Sequence, residues 1–305
     1  MQCFRRRESI SMKRNLKKNT GQVILHFFFI LITIAYIAPL LLVISASFST
    51  ESSLVGAGFS LIPKEFSLEA YELVFRNPTQ ILNSYKTNII YCTTNAVLSV
   101  LVMALTAYPL ARDSFRLKGP VTFYFFFTML FAGGLVPSYM INTRLLHLNN
   151  TMGIYIWPSL MSVYSMIIIR TNYKNVPKEL IEAAKIDGAS EMYICFKIVV
   201  PLSKAAIASM MFLDFVGNWN NWMTASIYIR DPELYSLQYL LQRILREAEF
   251  VKQQAELGMA TGMEVLPVET VRYAMAMVAA GPVLCVFPLF QKHFVKGMTI
   301  GGVKG

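Results

Sequence analysis

Long apolar runs separated by short polar stretches dominate the chain, and their lengths predict six membrane-spanning helices. Val23 to Ser45 is the first, an apolar stretch of about 23 residues, enough to cross a bilayer. A cleaved signal peptide, with Ser45-Ala46-Ser47 as its cleavage site, is the competing reading. Signal h-regions run only about 7–15 residues, which favours an uncleaved helix. Residues 49–86 are polar and loop-like, with Pro63 and Pro78, and hold a short external helix over Phe66 to Phe75. Asn88 to Ala111 is the second span, and Val121 to Ile141 the third, interrupted by Gly133, Gly134 and Pro137. Such breaks are tolerated where protein or a cavity satisfies the freed backbone. Met152 to Ile169 is the fourth span, with Trp157-Pro158 near its outer end, Lys204 to Ala225 the fifth and Tyr273 to Phe294 the sixth.

Two polar stretches have internal structure of their own. In ELIEAAKIDGASEMYICFKIVVP, residues 179–201, the pattern predicts a short helix over Glu179 to Asp187 that Gly188 stops in a left-handed conformation. Ser190 then caps a second helix, which Pro201 interrupts. The paired Ala183 and Ala184 allow another surface to approach the backbone closely. The external segment from Ser226 to Val271 repeats Leu237, Leu240, Leu241, Ile244 and Leu245 at helical spacing, which predicts an amphipathic helix. It would pack on the membrane surface, on a partner, or over the external mouth of the bundle.

Composition agrees with a polytopic membrane protein: 55% of the 305 residues are hydrophobic, 15% are charged, and the mean hydropathy is +0.47. A net charge of +10 raises the question of nucleic acid, and its distribution answers it. With both termini cytoplasmic, 19 of the 28 Lys and Arg fall on the inner side, seven of them between Arg5 and Lys18. The others follow the second span (Arg112, Arg116, Lys118), lie in or beside residues 171–203, or lie near the C-terminal end. Asp231, Glu233, Glu247, Glu249, Glu256, Glu264 and Glu269 all fall in the one external segment. The charge thus obeys the positive-inside rule and does not form a nucleic-acid surface. Cys3, Cys92, Cys195 and Cys285, like His26, His147 and His293, are too scattered for a disulfide framework or a metal site. There is no Gly-x-x-x-x-Gly-Lys motif for ATP, no inverted pair of broken helices, and no ionisable chain through the membrane to couple protons or sodium.

The triplet Glu182-Ala183-Ala184, followed by Gly188, Ile198 and Pro201, resembles the EAA signature of ABC importer permeases. Val200 stands where the family usually has Leu, and Ala205 stands near a position where a second Pro is common. The Asn218–Trp222 cluster, the segment SLQYLLQRILREAE, the terminal run PLFQKHFVKGMTIGGVKG and the order of six spans extend the resemblance over nearly the whole chain. They resemble the carbohydrate-uptake type 1 permeases, in the branch related to the maltose-type inner permease and the LplC/YtcP-like proteins. The resemblance implies an all-α fold, a six-helix type I ABC importer permease of the bacterial cytoplasmic membrane with both termini cytoplasmic. It divides the chain into a cytoplasmic basic tail (1–22), a permease domain (23–294) with a cytoplasmic coupling loop (171–203) and an external loop (226–271), and a C-terminal tail (295–305).

By the same resemblance Glu182, Ala183, Ala184 and Gly188 contact an ATPase, with Asp187 shaping the turn. The implied partners are a second homologous permease subunit, two copies of a cytoplasmic ABC ATPase, an extracytoplasmic solute-binding lipoprotein and membrane lipid, with no cofactor and no catalytic or metal site. In the maltose-type relatives the tail corresponding to Gly297, Gly301, Gly302 and Gly305 inserts between ATPase subunits; a disordered glycine-rich end is the alternative. The implied cargo is a carbohydrate, specifically an oligosaccharide, and the alternative is a non-sugar solute such as a peptide or phosphate.

Polar residues in the spans bear on the cargo. Asp214, the acidic residue within the fifth span, either hydrogen-bonds a neighbouring helix or contributes to a translocation path. Asn218, Trp219, Asn220, Asn221 and Trp222 combine rings that stack on pyranose faces with amides that match hydroxyl pairs. Rings also collect at the membrane interface without binding anything, whereas amides facing lipid are costly. Asn88, Asn95, Tyr108, Tyr139, Asn142 and Tyr164 either line a wet cavity or join helices through hydrogen bonds. The expected substrate path is therefore Asn95, Asp214, Asn218, Trp219, Asn221 and Trp222. An integral-membrane enzyme is disfavoured, since no paired carboxylates or nucleophile with a base stand at usable spacing.

Overall fold

A computed structural model describes residues 2–257 and 266–301; Glu264 of the external segment and Gly302 and Gly305 of the tail lie outside them. In chain order the helices are α1 (Gln2–Ser47), α2 (Glu51–Ala57), α3 (Glu69–Val74), α4 (Pro78–Ala111), α5 (Lys118–Leu130), α6 (Leu135–Met140) and α7 (Gly153–Ile156). They continue as α8 (Val163–Lys174), α9 (Lys178–Ile186), α10 (Glu191–Ile194), α11 (Val200–Leu202), α12 (Lys204–Trp219), α13 (Met223–Tyr228), α14 (Leu237–Glu256) and α15 (Val268–Gly301). The chain is all-α, with a bridge between Ser49 and Phe66 as the one β-type pairing among the described residues. Three stretches, Gln22–Ser47, Pro78–Ala111 and Val268–Pro288, are long and apolar enough to cross a membrane unaided. Three bent helix pairs pass the same test together and bring the candidates to as many as six: α5 with α6 and its continuation to Leu145 (109°), Gly153–Ser159 with α8 (49°), and Glu191–Leu202 with α12 (80°).

The breaks depart from the sequence expectation in instructive ways. The third span turns at residues 131–134, where Gly134 takes φ +89, a value open to glycine and strained for other residues. Pro137 does not make the break; it lies in the first turn of α6, where a missing N–H is no loss. Nor does Pro201 end its helix. The chain widens into a π-turn over Cys195–Val199 just before the proline, stays helical through Leu202 and bends at Ser203. The fifth span stops at Trp219 and not at Ala225, because Asn221 turns to the backbone ahead of it and accepts from Thr224 N at 3.1 Å. The second span begins ten residues earlier than Asn88, with Pro78 as its first residue. Gly297 does not punctuate a loose tail, since α15 runs through it.

The chain divides into two compact units. The first, Met1–Val74 with Ala248–Val278, holds α1 to α3, and its apolar α1 is exposed on nearly every described side chain from Val23 to Leu41. Phe48 stacks on Phe66 and Tyr71, fixing the polypeptide after α1. Glu51 caps α15 at its N-terminus: its carboxylate accepts from Glu269 N at 3.0 Å, Thr270 N at 2.9 Å and Thr270 Oγ1 at 3.1 Å.

In the second unit, Phe75–Glu247 with Ala279–Gly305, α4 is the central helix and packs against α8 and α12. Ala96, Ala104 and Ala107 keep its buried face narrow enough for close approach. Met103 and Leu110 meet Met166, Ile169 and Tyr173 of α8 and Met210 of α12. The N-terminal half of α14 turns its leucines inward. Leu237, Leu240 and Leu241 are buried within the chain's own fold, while Ile244 and Leu245 are half-buried.

Candidate functional site

The motif residues form a braced knuckle between α8 and α12. Ile181 of α9 is buried in the same core cluster as Val176, Ile194 and Val199, and Ala184 packs against that cluster. The opposite face carries Glu179, Glu182, Ala183 and Ile186, all exposed, with Ile186 at 86%. Asp187 ends the helix at φ −72, ψ 2, and Gly188 follows at φ +79. Gly188 N donates to Lys185 O at 3.0 Å and Ala189 N to Ala184 O at 2.9 Å, the pair of bonds that defines a Schellman closure. Ser190 Oγ then accepts from Tyr193 N and starts α10.

Charges fasten this knuckle at two points. Lys185 Nζ and Tyr108 OH each lie 2.5 Å from a carboxylate oxygen of Glu191, so that the turn and α4 share one anion. Asp113, just past α4, accepts from Lys178 at 2.7 Å and from Lys118 at 3.0 Å. Those hydrogen bonds, Lys178 first, hold the Asp113 carboxyl well below its usual range, and the same contact raises Lys178.

Three of the expected path residues meet in the second unit, Asn95 from the middle of α4 and Asp214 and Asn218 from the C-terminal half of α12. Asn95 is fully buried, donates to Ile156 O at 3.1 Å and Ser159 Oγ at 2.7 Å, and accepts from Asn218 Nδ2 at 2.8 Å. Asp214 accepts from Ser99 at 3.3 Å and Ser165 at 3.4 Å, and its carbonyl takes a second contact from Asn218. Asn95, Asp214 and Asn218 therefore belong to one network of neutral donors around a single carboxylate. Trp219 stands apart from it. Its side chain is 1% exposed, and Nε1 donates to Ala279 O at 3.0 Å. Asn221 is engaged with Thr224, and Trp222 lies under the Arg246 guanidinium.

Other polar span residues join elements. Asn88 donates to Trp219 O and accepts from Leu237 N; Asn142 donates to Tyr228 OH; Tyr139 stacks on Tyr228. Tyr164 is exposed. Sequence reasoning overlooked Tyr91, whose hydroxyl donates to Asn218 O at 2.8 Å, and Ser99, Ser159 and Ser165. A signal was present for two of them: Ser84, Asn88, Tyr91, Asn95 and Ser99 recur every three or four residues, one polar stripe along an otherwise apolar helix. Among the described residues no three His, Cys, Asp or Glu converge on a metal-binding geometry.

An all-α chain with up to six candidate spans, an exposed knuckle and a neutral polar seam is matched by known proteins. Residues 90–300 match the family described as binding-protein-dependent transport system inner membrane component. The polygalacturonan/rhamnogalacturonan transport system permease protein YtcP of Bacillus subtilis is 34% identical, over 95% of this chain and 100% of its own length. Protein LplC of the same organism is 36% identical over 88% of this chain and 90% of its own. The crystal structure of a bacterial ABC transporter that imports the acidic polysaccharide alginate contains a chain with the same fold. Its TM-score is 0.71 at 24% identity, covering 90% of this chain and 97% of that one. Sequence and fold together show that the chain belongs to the inner membrane components of binding-protein-dependent ABC transport systems, as a multi-pass permease subunit.

Proposed function

We propose that this permease carries an oligosaccharide into the cell, with energy from a separate ATPase that grips the α9 knuckle. The observation that carries the coupling role is Ile186, a large apolar residue held 86% exposed at the tip of a rigid turn. An apolar side chain in that position has little to do for the fold and much to offer a partner cleft. Glu182, Ala183, Ala184 and Gly188 form the rest of the contact, and Asp187 sets the approach to the turn. Both termini and residues 171–203 face the cytoplasm, consistent with the Lys and Arg distribution. Two ATPase copies below, a second permease beside and a solute-binding lipoprotein above complete the assembly. ATPase closure draws the knuckles together and rotates the spans between inward-open and outward-open states. Cargo passes along Asn95, Asp214, Asn218, Asn221 and Trp222, with Trp219 as the rigid wall behind them.

The carbohydrate assignment rests on the transport systems that the relatives are named for: polygalacturonan/rhamnogalacturonan for YtcP, and arabinooligosaccharides for AraQ of Bacillus subtilis, which is 25% identical over 93% of this chain. A seam of amides and hydroxyls suits hydroxyl-rich cargo. Reconstitution of the chain with its permease partner, ATPase and binding protein tests both parts. Oligosaccharide, and neither peptide nor phosphate, should stimulate ATP hydrolysis and accumulate inside the vesicles. Accumulation of peptide or phosphate instead would overturn the cargo reading.

A further inference from the structure

Behind the knuckle lies a cleft of about 470 Å³ that the coupling role leaves unused. Its walls are the ends of α4 and α8 and the buried side of α9. Two of its four cations are already paired, Lys178 with Asp113 and Lys185 with Glu191. Arg112 and Lys174 have no carboxylate within salt-bridge distance among the described residues: Arg112 stands over the Tyr108 ring at 5.8 Å and meets Glu191 only at longer range. Lys174 is crowded by the like charges of Arg170 and Lys118, which Asp113 only partly offsets. Glu182, on the rim, is the one lining carboxylate outside these pairs. Tyr173 forms part of the wall, and its hydroxyl is buried without a hydrogen-bond partner, a deficit that ordinarily calls for an acceptor.

We propose that this cleft binds the phosphate group of an anionic phospholipid, held between Arg112 and Lys174. The position favours a lipid over a soluble anion, because both cations sit where the apolar helices α4 and α8 end, and headgroup phosphates meet a spanning helix where it leaves the hydrocarbon. A phosphate there relieves the crowding at Lys174 and gives Arg112 a direct ion-pair partner. It also links α4, α8 and α9 through one ligand, a role independent of which solute the bundle carries.

The test is native mass spectrometry of the full chain in detergent, titrated with phosphatidylglycerol, phosphatidylcholine or inorganic phosphate. Phosphatidylglycerol should be retained and phosphatidylcholine lost, with excess inorganic phosphate failing to displace the bound lipid. Arg112→Ala/Lys174→Ala should weaken phosphatidylglycerol binding by about tenfold or more. Arg112→Lys/Lys174→Arg, which keeps both charges, should retain most of it, and Lys64→Ala/Arg76→Ala, which removes two exposed cations elsewhere, should change nothing. Equal retention by the double alanine variant and the parent overturns the site. Equal retention of the zwitterionic lipid, or displacement by inorganic phosphate, overturns the lipid assignment.

Discussion

Gly188 needs its missing side chain for backbone reasons alone. A Cβ built there meets nothing within 4 Å, yet φ is +79, so a substitution is strained by conformation and not by crowding. Gly188→Val should destabilise the turn by about 1–2 kcal/mol and abolish coupled uptake while the protein still inserts and folds. Gly188→Asn, which visits this region readily, should keep most of the transport activity; vesicle uptake and membrane yield separate the two outcomes. The Asn95–Asn218 contact is the corresponding test in the seam. A double-mutant cycle with Ala at both positions should give a coupling energy of roughly 0.5–2 kcal/mol in thermal unfolding. The turn was readable in the sequence because Gly188 and Ser190 act on neighbours within a few residues. Trp219 was not: stacking, binding and burial call for the same ring, and only the Ala279 carbonyl opposite decides between them.

Among the elements, long apolar helices announce themselves while their ends and bends do not. The bend between α5 and α6 was legible in Gly133 and Gly134, but the stop at Trp219 depends on which backbone groups Asn221 chooses to bond. The cap on α15 was beyond reach of any local pattern, since Glu51 lies 218 residues from Glu269 in the chain. Glu51→Ala should lower stability by about 0.5–2 kcal/mol, and Glu51→Gln, which keeps the shape but not the charge, by less; unfolding midpoints in one detergent compare them. The Asp113 latch has a definite pH sense. Its carboxyl titrates lower in the folded chain than in the unfolded one, so its stabilising effect is complete above about pH 4 and fades only on further acidification. Asp113→Asn should therefore loosen the α9 attachment at neutral pH, whereas lowering the pH to about 5 in the parent should not; proteolysis between residues 174 and 190 reports both.

At the scale of the whole molecule, the stretches that could cross a membrane were legible from hydropathy alone, because a bilayer imposes a length on any sequence that crosses it. The inward burial of Leu237 and Leu241 could not be read that way, as an amphipathic stripe looks the same whether it meets lipid, a partner or its own fold. The two isoleucines of α9 make the distinction testable. Ile186→Asp should leave the unfolding midpoint within about 0.5 kcal/mol of the parent and abolish co-purification with the ATPase. Ile181→Asp should instead cost several kcal/mol, roughly 3 or more, through a buried charge, and reduce the yield of folded protein.

Lys185, on the helix side of the Gly188 turn, and Tyr108, on the second span, grip the same Glu191 carboxylate. On the proposed coupling role, a push delivered at the tip reaches the second span through this one shared anion. On that reading the turn works as a crank and not as a spring. Lengthening either grip, for example with Glu191→Asp, should leave ATP turnover running while solute stays outside.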